Sequence, residues 1–217
     1  MLSAHMSVIV KICGITNLPD ALQATEAGAD ALGFVFYASS PRKTTIEAAA
    51  PIAKAIPAHV VKVGVFVDAE DEFVYRAIAE CHLNLLQFHG EETPEYCRQF
   101  GLMSMKAFRM RDTESLARLR AYPTEAWLLD AYSPEKPGGT GMRFNWDLAI
   151  EAQKLGRPIF LAGGLTPENV GDAVQRVHPY GVDVSSGTEA EPGKKDHAKV
   201  KAFISAAKAA ILKPTLP

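Results

Sequence analysis

The sequence predicts an α/β fold of the (β/α)8 type, a single domain in which eight parallel strands are each followed by a helix. Three observations predict it. Short apolar runs rich in Val, Ile and Phe recur along the 217 residues, segments of helical spacing with polar faces separate them, and the alternation repeats eight times. An open doubly wound sheet more often uses about five to seven strands, so the count favours closure into a TIM barrel.

The first strand is read at Val8 to Cys13, ahead of Gly14-Ile15-Thr16-Asn17. Asn17-Leu18-Pro19-Asp20 then opens the first helix with a cap and an early proline, and Ala27-Gly28 closes it. Further strands are expected near Asp30 to Phe36, Val60 to Val67, Asn84 to Phe88, Met103 to Phe108, Ala126 to Asp130, Pro158 to Ala162 and Gly181 to Val184. The third is an almost unbroken apolar run, the pattern of a strand covered on both faces. Thr166-Pro167-Glu168-Asn169 opens the seventh helix as the first is opened, and the eighth runs from about Asp196 to Leu212 before Pro214 stops it. The barrel therefore occupies residues 8–213, with 214–217 as a C-terminal tail. Met6, just before the first strand, marks residues 1–7 as an N-terminal extension added upstream of the barrel.

Composition narrows the function classes. Hydrophobic residues make up 47% and charged residues 22%, enough apolar material for one sizeable core. The formal net charge is -2, which lacks the basic excess behind non-specific nucleic-acid binding, so no nucleic-acid partner is expected. Cys13, Cys81 and Cys97 are odd in number and widely spaced, which argues against a disulfide framework or a zinc ribbon and suits a reducing cytoplasm. No stretch reads as a secretion signal or a membrane span, and no His or Cys spacing suggests a metal site.

In such a barrel the active site lies where the strands end. Those ends are polar here: Cys13, Arg42 in the second loop, His89, Asp130, Gly163-Gly164, and Asp183 leading into Ser185-Ser186-Gly187. Each has a plainer reading. Cys13 is either a buried inert thiol or a base at the mouth. If it faces the mouth, strand alternation turns Lys11 and Ile9 inward as well and sends Val10 and Ile12 toward the helices. Lys11 then needs a carboxylate inside the barrel, and Asp183 on the adjacent eighth strand is the candidate.

Asp130 ends an apolar strand and is either a turn residue or an acid whose pKa desolvation raises, able to donate a proton. The glycine-bearing loops after the seventh and eighth strands occupy the positions where barrels of this class commonly bind phosphate, through backbone N–H groups and a helix N-terminus. Lys136-Pro137-Gly138-Gly139-Thr140-Gly141 is either a lid that closes over a ligand or an ordinary loop. His89 is a hydrogen-bonded filler or a ligand contact. Arg42 is a solvated charge or a fork that holds a carboxylate bidentately.

Taken together the motifs closely resemble the phosphoribosylanthranilate isomerase family of the tryptophan pathway, over essentially the whole chain after its first few residues. The resemblance rests on Lys11-Ile12-Cys13-Gly14-Ile15-Thr16, Gly33-Phe34-Val35-Phe36-Tyr37, Val63 to Val67, Gln87-Phe88-His89-Gly90-Glu91, Leu128-Leu129-Asp130, Gly138 to Gly141, Ala162 to Val170 and Val182 to Gly187. It implies a cofactor-free Amadori rearrangement of N-(5-phosphoribosyl)anthranilate, with Asp130 as general acid and Cys13 as general base. It implies substrate contacts from Arg42 to the anthranilate carboxylate, from the seventh and eighth loops (Gly163, Gly164, Ser186, Gly187) to phosphate, and from His89, Gly141 and Asp183. The partner so implied is a small phosphosugar-anthranilate substrate, bound by a monomer or homodimer. Phe88 and Asn145 depart from common family residues, and neither touches the implied proton transfers.

Two rivals predict other residues. A histidine-pathway sugar isomerase is expected to carry a carboxylate where this chain has Cys13. A phosphosugar-binding protein that has lost catalysis is expected to keep its phosphate loops and lose the acid or base, whereas Cys13 and Asp130 are both present.

Overall fold

The fold, seen in a computed structural model that describes residues 8–131 and 146–210, is a closed all-parallel barrel ringed by helices. The strands are β1 (Ile9–Cys13), β2 (Ala31–Val35), β3 (Val61–Phe66), β4 (Leu85–Phe88), β5 (Met103–Met110), β6 (Ala126–Ala131), β7 (Ile159–Leu161) and β8 (Gly181–Val184). Each pairs with the next, and β1 pairs with β8 to close the ring. Between and after them lie α1 (Leu18–Glu26), α2 (Ile46–Ala55), α3 (Asp71–Cys81), α4 (Pro94–Arg98), α5 (Glu114–Leu119), α6 (Trp146–Gln153), α7 (Val170–Val177) and α8 (His197–Ala210).

Strand alternation divides the core into two shells. Ile9, Cys13, Ala31, Val35, Val63, Val65, Met105, Ala107, Leu128 and Phe160 belong to the cluster inside the barrel. Val10, Ile12, Leu32, Phe34, Phe66, Phe88, Leu129 and Val182 belong to the larger cluster that the helices cover. The expected orientation of β1 therefore holds.

Side chains cap α1, α2 and α4, the last through Thr93 Oγ1, which accepts from the Tyr96 N–H at 3.2 Å. Asn17 Oδ1 accepts from the Asp20 N–H at 2.9 Å to cap α1, and Thr45 Oγ1 accepts from the Ala48 N–H at 3.2 Å to cap α2. The seventh helix differs from expectation: it starts at Val170, not at the Thr166-Pro167 pair. Asn169 spends its side chain on the preceding loop, accepting from Thr166 N–H at 2.8 Å and donating to Gly164 O at 2.9 Å. The eighth starts at His197, one residue after the expected Asp196, whose Oδ1 accepts from the Ala198 N–H at 3.0 Å, and is described to Ala210; residues 211 and 212 of the expected span, with both chain termini, lie outside the described residues.

One element is unforeseen. After a short 3-10 turn at Ser186–Thr188, a small antiparallel hairpin forms from β9 (Glu189–Glu191) and β10 (Lys194–Lys195). Side chains from the start of the chain hold it: the Thr16 hydroxyl donates to Gly193 O, and Lys195 N–H donates to Asp20 Oδ2 at 2.8 Å. Among the described residues no helix is long and apolar enough to cross a membrane.

Candidate active site

The C-terminal ends of the strands surround a cavity of about 510 Å3, within the range of small-molecule sites. Cys13, Arg42, His89, Asp130, Gly163, Gly164, Asp183, Ser186 and Gly187 all line it. Gly141, and the glycine-rich segment expected as a lid, lie outside the described residues.

Cys13 faces the cavity from the end of β1 and is 7% exposed. Beneath it the Lys11 ammonium donates to Asp183 Oδ1 at 2.7 Å, between positions that pair directly across β1 and β8, so the expected partner is the observed one. Burial disfavours the Lys11 charge, but Asp183 and Cys13 outweigh it and hold the amine above its ordinary value. For the thiol the balance runs the other way. Burial pushes it up, Lys11 pulls it down, and the nearby Asp183 charge opposes Lys11, so it ends above the ordinary cysteine value. The resting group is a neutral thiol beside a cation that is in place to receive the thiolate. Gly33 on β2 keeps this cluster together, because a Cβ there would lie 2.9 Å from Cys13 Sγ and 3.1 Å from Lys11 Nζ.

Asp130 enters from β6. Its side chain is 30% exposed. Its carboxylate oxygen Oδ2 lies 3.4 Å from His89 Nε2, and His89 Nδ1 lies 3.1 Å from the amide nitrogen of Gln87, which is buried on β4.

Arg42 reaches the cavity with its fork already engaged. Nε and Nη2 donate to the two oxygens of Glu189 at 2.8 and 2.7 Å. Glu189 also accepts from Lys195 Nζ at 3.2 Å, and these contacts, working against burial, hold its carboxyl below the ordinary range. The expected two-pronged grip on a ligand carboxylate is thus spent inside the protein, and Nη1 is the prong left for one.

The two glycine loops meet at the same end. Gly163 and Gly164 both take left-handed backbone (φ 79° and 68°), a turn that side chains disfavour, and it carries the chain around the cavity before Asn169 pins it. Across from it, Ser185 Oγ donates to Cys13 O at 3.1 Å, which ties the eighth loop to the end of β1.

Three lining or supporting groups were missed from sequence: Gln87, Arg109 and the Glu189–Lys195 pair. Strand β5 runs two residues beyond the expected Phe108, and Arg109 thereby pairs in register with Asp130 at the cavity. A consistent period-2 reading carried back from His89 marks Gln87 as inward, so that signal was present.

A family model described as N-(5'phosphoribosyl)anthranilate (PRA) isomerase matches residues 10–206. The chain is 58% identical over 199 residues to an N-(5'-phosphoribosyl)anthranilate isomerase of Geobacter sp. (strain M21), covering 92% of this chain and 97% of that protein. Among solved structures it is similar to a phosphoribosyl anthranilate isomerase in complex with reduced 1-(o-carboxyphenylamino)-1-deoxyribulose 5-phosphate. That match has 42% identity and a TM-score of 0.83, covering 93% of this chain and 99% of the other. It is likewise similar to monomers generated from the dimeric enzyme of Thermotoga maritima, at 42% identity and a TM-score of 0.81, over 93% of this chain and 98% of the other.

Proposed function

The chain belongs to the N-(5'-phosphoribosyl)anthranilate isomerase family and catalyses the Amadori rearrangement of N-(5'-phosphoribosyl)anthranilate to 1-(2-carboxyphenylamino)-1-deoxyribulose 5-phosphate in tryptophan biosynthesis; we propose that Asp130 and Cys13 are its general acid and general base. The reaction is an internal aldose-to-ketose oxidation and reduction. Asp130 protonates the furanose ring oxygen, the bond from that oxygen to C1 breaks, and the anilino nitrogen supplies the electron pair that forms a protonated Schiff base. The Cys13 thiolate then removes the proton from C2, giving an enolamine. Loss of the enol proton and protonation of C1 give the aminoketose, so hydrogen has moved from C2 to C1 with no external oxidant.

The observation that carries this assignment is the convergence of both groups on one cavity, Cys13 from β1 and Asp130 from β6. The raised thiol pKa fits the order of events. A neutral thiol is the resting state, and the cationic Schiff base both acidifies C2–H and favours the thiolate that Lys11 already supports. Asp183, with Oδ1 held by Lys11, presents its other oxygen to sugar hydroxyls. Gly163, Gly164, Ser186 and Gly187 bind the phosphate with backbone N–H groups, and Arg42 meets the anthranilate carboxylate through Nη1. His89 contacts the substrate beside Asp130.

The three described cysteines are free, and a reducing cytoplasm keeps the Cys13 thiol available. The protein works there as a monomer or homodimer on its small-molecule substrate, and its net charge of -2 gives no pull toward nucleic acid or anionic membrane. Steady-state turnover of freshly prepared phosphoribosylanthranilate tests the acid and base. Cys13→Ser and Asp130→Asn are expected to lower kcat by at least about a hundredfold with KM little changed. Undiminished turnover by either variant removes that residue from its role.

A further inference from the structure

Gln87 is wholly enclosed at 1% exposure, and its Oε1 is the only buried side-chain N or O atom among the described residues without a hydrogen-bond partner. The other end of the amide lies 3.1 Å from His89 Nδ1. Rotating the amide by half a turn would offer the carbonyl to His89 but strand an NH2 with two unpaired N–H groups. Buried orphan N–H groups are rarer than under-used carbonyls, so the N–H end belongs on the imidazole.

That placement fixes the proton on His89. Nδ1 must present a lone pair to the amide, which puts the single ring proton on Nε2, 3.4 Å from Asp130 Oδ2. This contact is longer than a working hydrogen bond, as is usual before substrate closes a site. Among the described residues the other charged and titratable groups facing the cavity are Cys13, Tyr37, Arg42, Arg109 and Asp183. Among the described residues the imidazole's polar contacts are Gln87 and Asp130 alone.

An imidazole free to donate from both ring nitrogens could compete for the proton of a neighbouring carboxylic acid. An imidazolium needs an acceptor at Nδ1, and here Nδ1 meets a donor. We propose that Gln87 is a positioning residue that keeps His89 singly protonated at Nε2, so that the proton carried by Asp130 goes to the substrate ring oxygen and not to His89. With Nε2–H aimed at Oδ2, the acid's own proton resides on Oδ1.

This proposal rests on Asp130 being the general acid, and its test separates the two claims. Protein labelled with 15N-histidine, compared with His89→Asn to assign the signal among six histidines, reports which ring nitrogens carry protons. Near neutral pH the wild-type His89 is expected to show a bare Nδ1 and a protonated Nε2. Gln87→Glu, of nearly the same volume, puts an acceptor on Nδ1 and is expected to give both nitrogens protonated, with kcat lowered about ten- to a hundredfold and KM within about threefold. Gln87→Met, which removes the donor without adding an acceptor, is expected to move both readouts the same way by less, and it carries the test alone if the glutamate variant does not fold. A protonated Nδ1 in the wild type, or unchanged 15N signals and kcat in the variants, overturns the proposal. Full activity of Asp130→Asn overturns the acid assignment and leaves the tautomer measurement standing.

Discussion

The Lys11 ammonium sits 2.7 Å from Asp183 Oδ1 with none of the lysine side chain exposed, joining the first strand of the barrel to the last. Breaking a buried pair from one side strands a charge, which costs about 3–5 kcal/mol, whereas replacing both partners by apolar groups is often close to neutral. Lys11→Met is therefore expected to lower unfolding stability by about 3–5 kcal/mol in urea titrations. Lys11→Met combined with Asp183→Leu is expected to recover most of that loss while remaining inactive. A single variant as stable as the parent contradicts the pairing.

The same cluster predicts the pH behaviour of Cys13. Burial raises the thiol above its ordinary 9.0, and only the thiolate accepts a proton, so reactivity must grow as pH rises through that raised value. Iodoacetamide alkylation followed at Cys13 is expected to accelerate with pH and to level off above the ordinary cysteine range. Asp183→Asn removes the negative charge that opposes the thiolate and is expected to move the curve to lower pH. A shift to higher pH would show that Asp183 acts in the opposite sense.

On the proposed contact with the carboxylate end of the substrate, away from the reacting carbons, Arg42 should control binding more than chemistry. Arg42→Met is expected to raise KM by about tenfold with kcat within about threefold, the size of one charged hydrogen bond lost. Glu189→Gln weakens the anchor that aims the guanidinium and also deprives the buried Lys195 of its carboxylate. Its KM should rise as well, and its unfolding midpoint should fall. If Arg42→Met depresses kcat alone, the carboxylate contact is wrong.

Two other thiols bear on stability at high pH. Burial pushes Cys81 up to about 11 and Cys97 up to about 12. Their folded values exceed the unfolded value of 9.0, so between pH 9 and 11 the unfolded chain gives up protons that the folded chain keeps. Stability contributed by the neutral thiols is present below 9 and is lost as pH rises, by at most about 1.4 kcal/mol per thiol per pH unit. Chemical denaturation from about pH 8 to about pH 10.5 should show this decline, and Cys81→Ala with Cys97→Ala should reduce its slope, leaving the part owed to Cys13. An equal slope in the double variant would place the cause elsewhere.

The barrel was legible because parallel strands buried on both faces leave uninterrupted apolar runs, and the strand ends were located to within one or two residues. What escaped has physical reasons. The charged hairpin Glu189 to Lys195 carries no apolar alternation, since it is held by ion pairs and backbone contacts to Thr16, Asp20 and Arg42, distant in sequence. Strand β5 extends past Phe108 through pairing with β6, so the polar Arg109 looked like a loop residue. In the site, strand-end position and resemblance located Cys13 and Asp130, and alternation found the Lys11–Asp183 pair. The occupied fork of Arg42 was beyond reach, because it depends on side chains that meet from loops 147 residues apart, whereas the buried amide behind His89 follows from alternation along β4 and was overlooked.

The closing ladder between β1 and β8 also sets a timetable. Asp183 follows Lys11 by 172 residues, so a ribosome adding about 5–20 residues per second finishes the partner about ten to thirty seconds after the lysine. Until then the Lys11 ammonium must stay hydrated, and a strand carrying it cannot settle into a dry interior. Nascent chains ending before β8 lack Asp183 and so lack the charged surroundings that Cys13 has in the closed barrel. During synthesis, enzyme activity is therefore the last property to appear, and it appears with the closing of the ring.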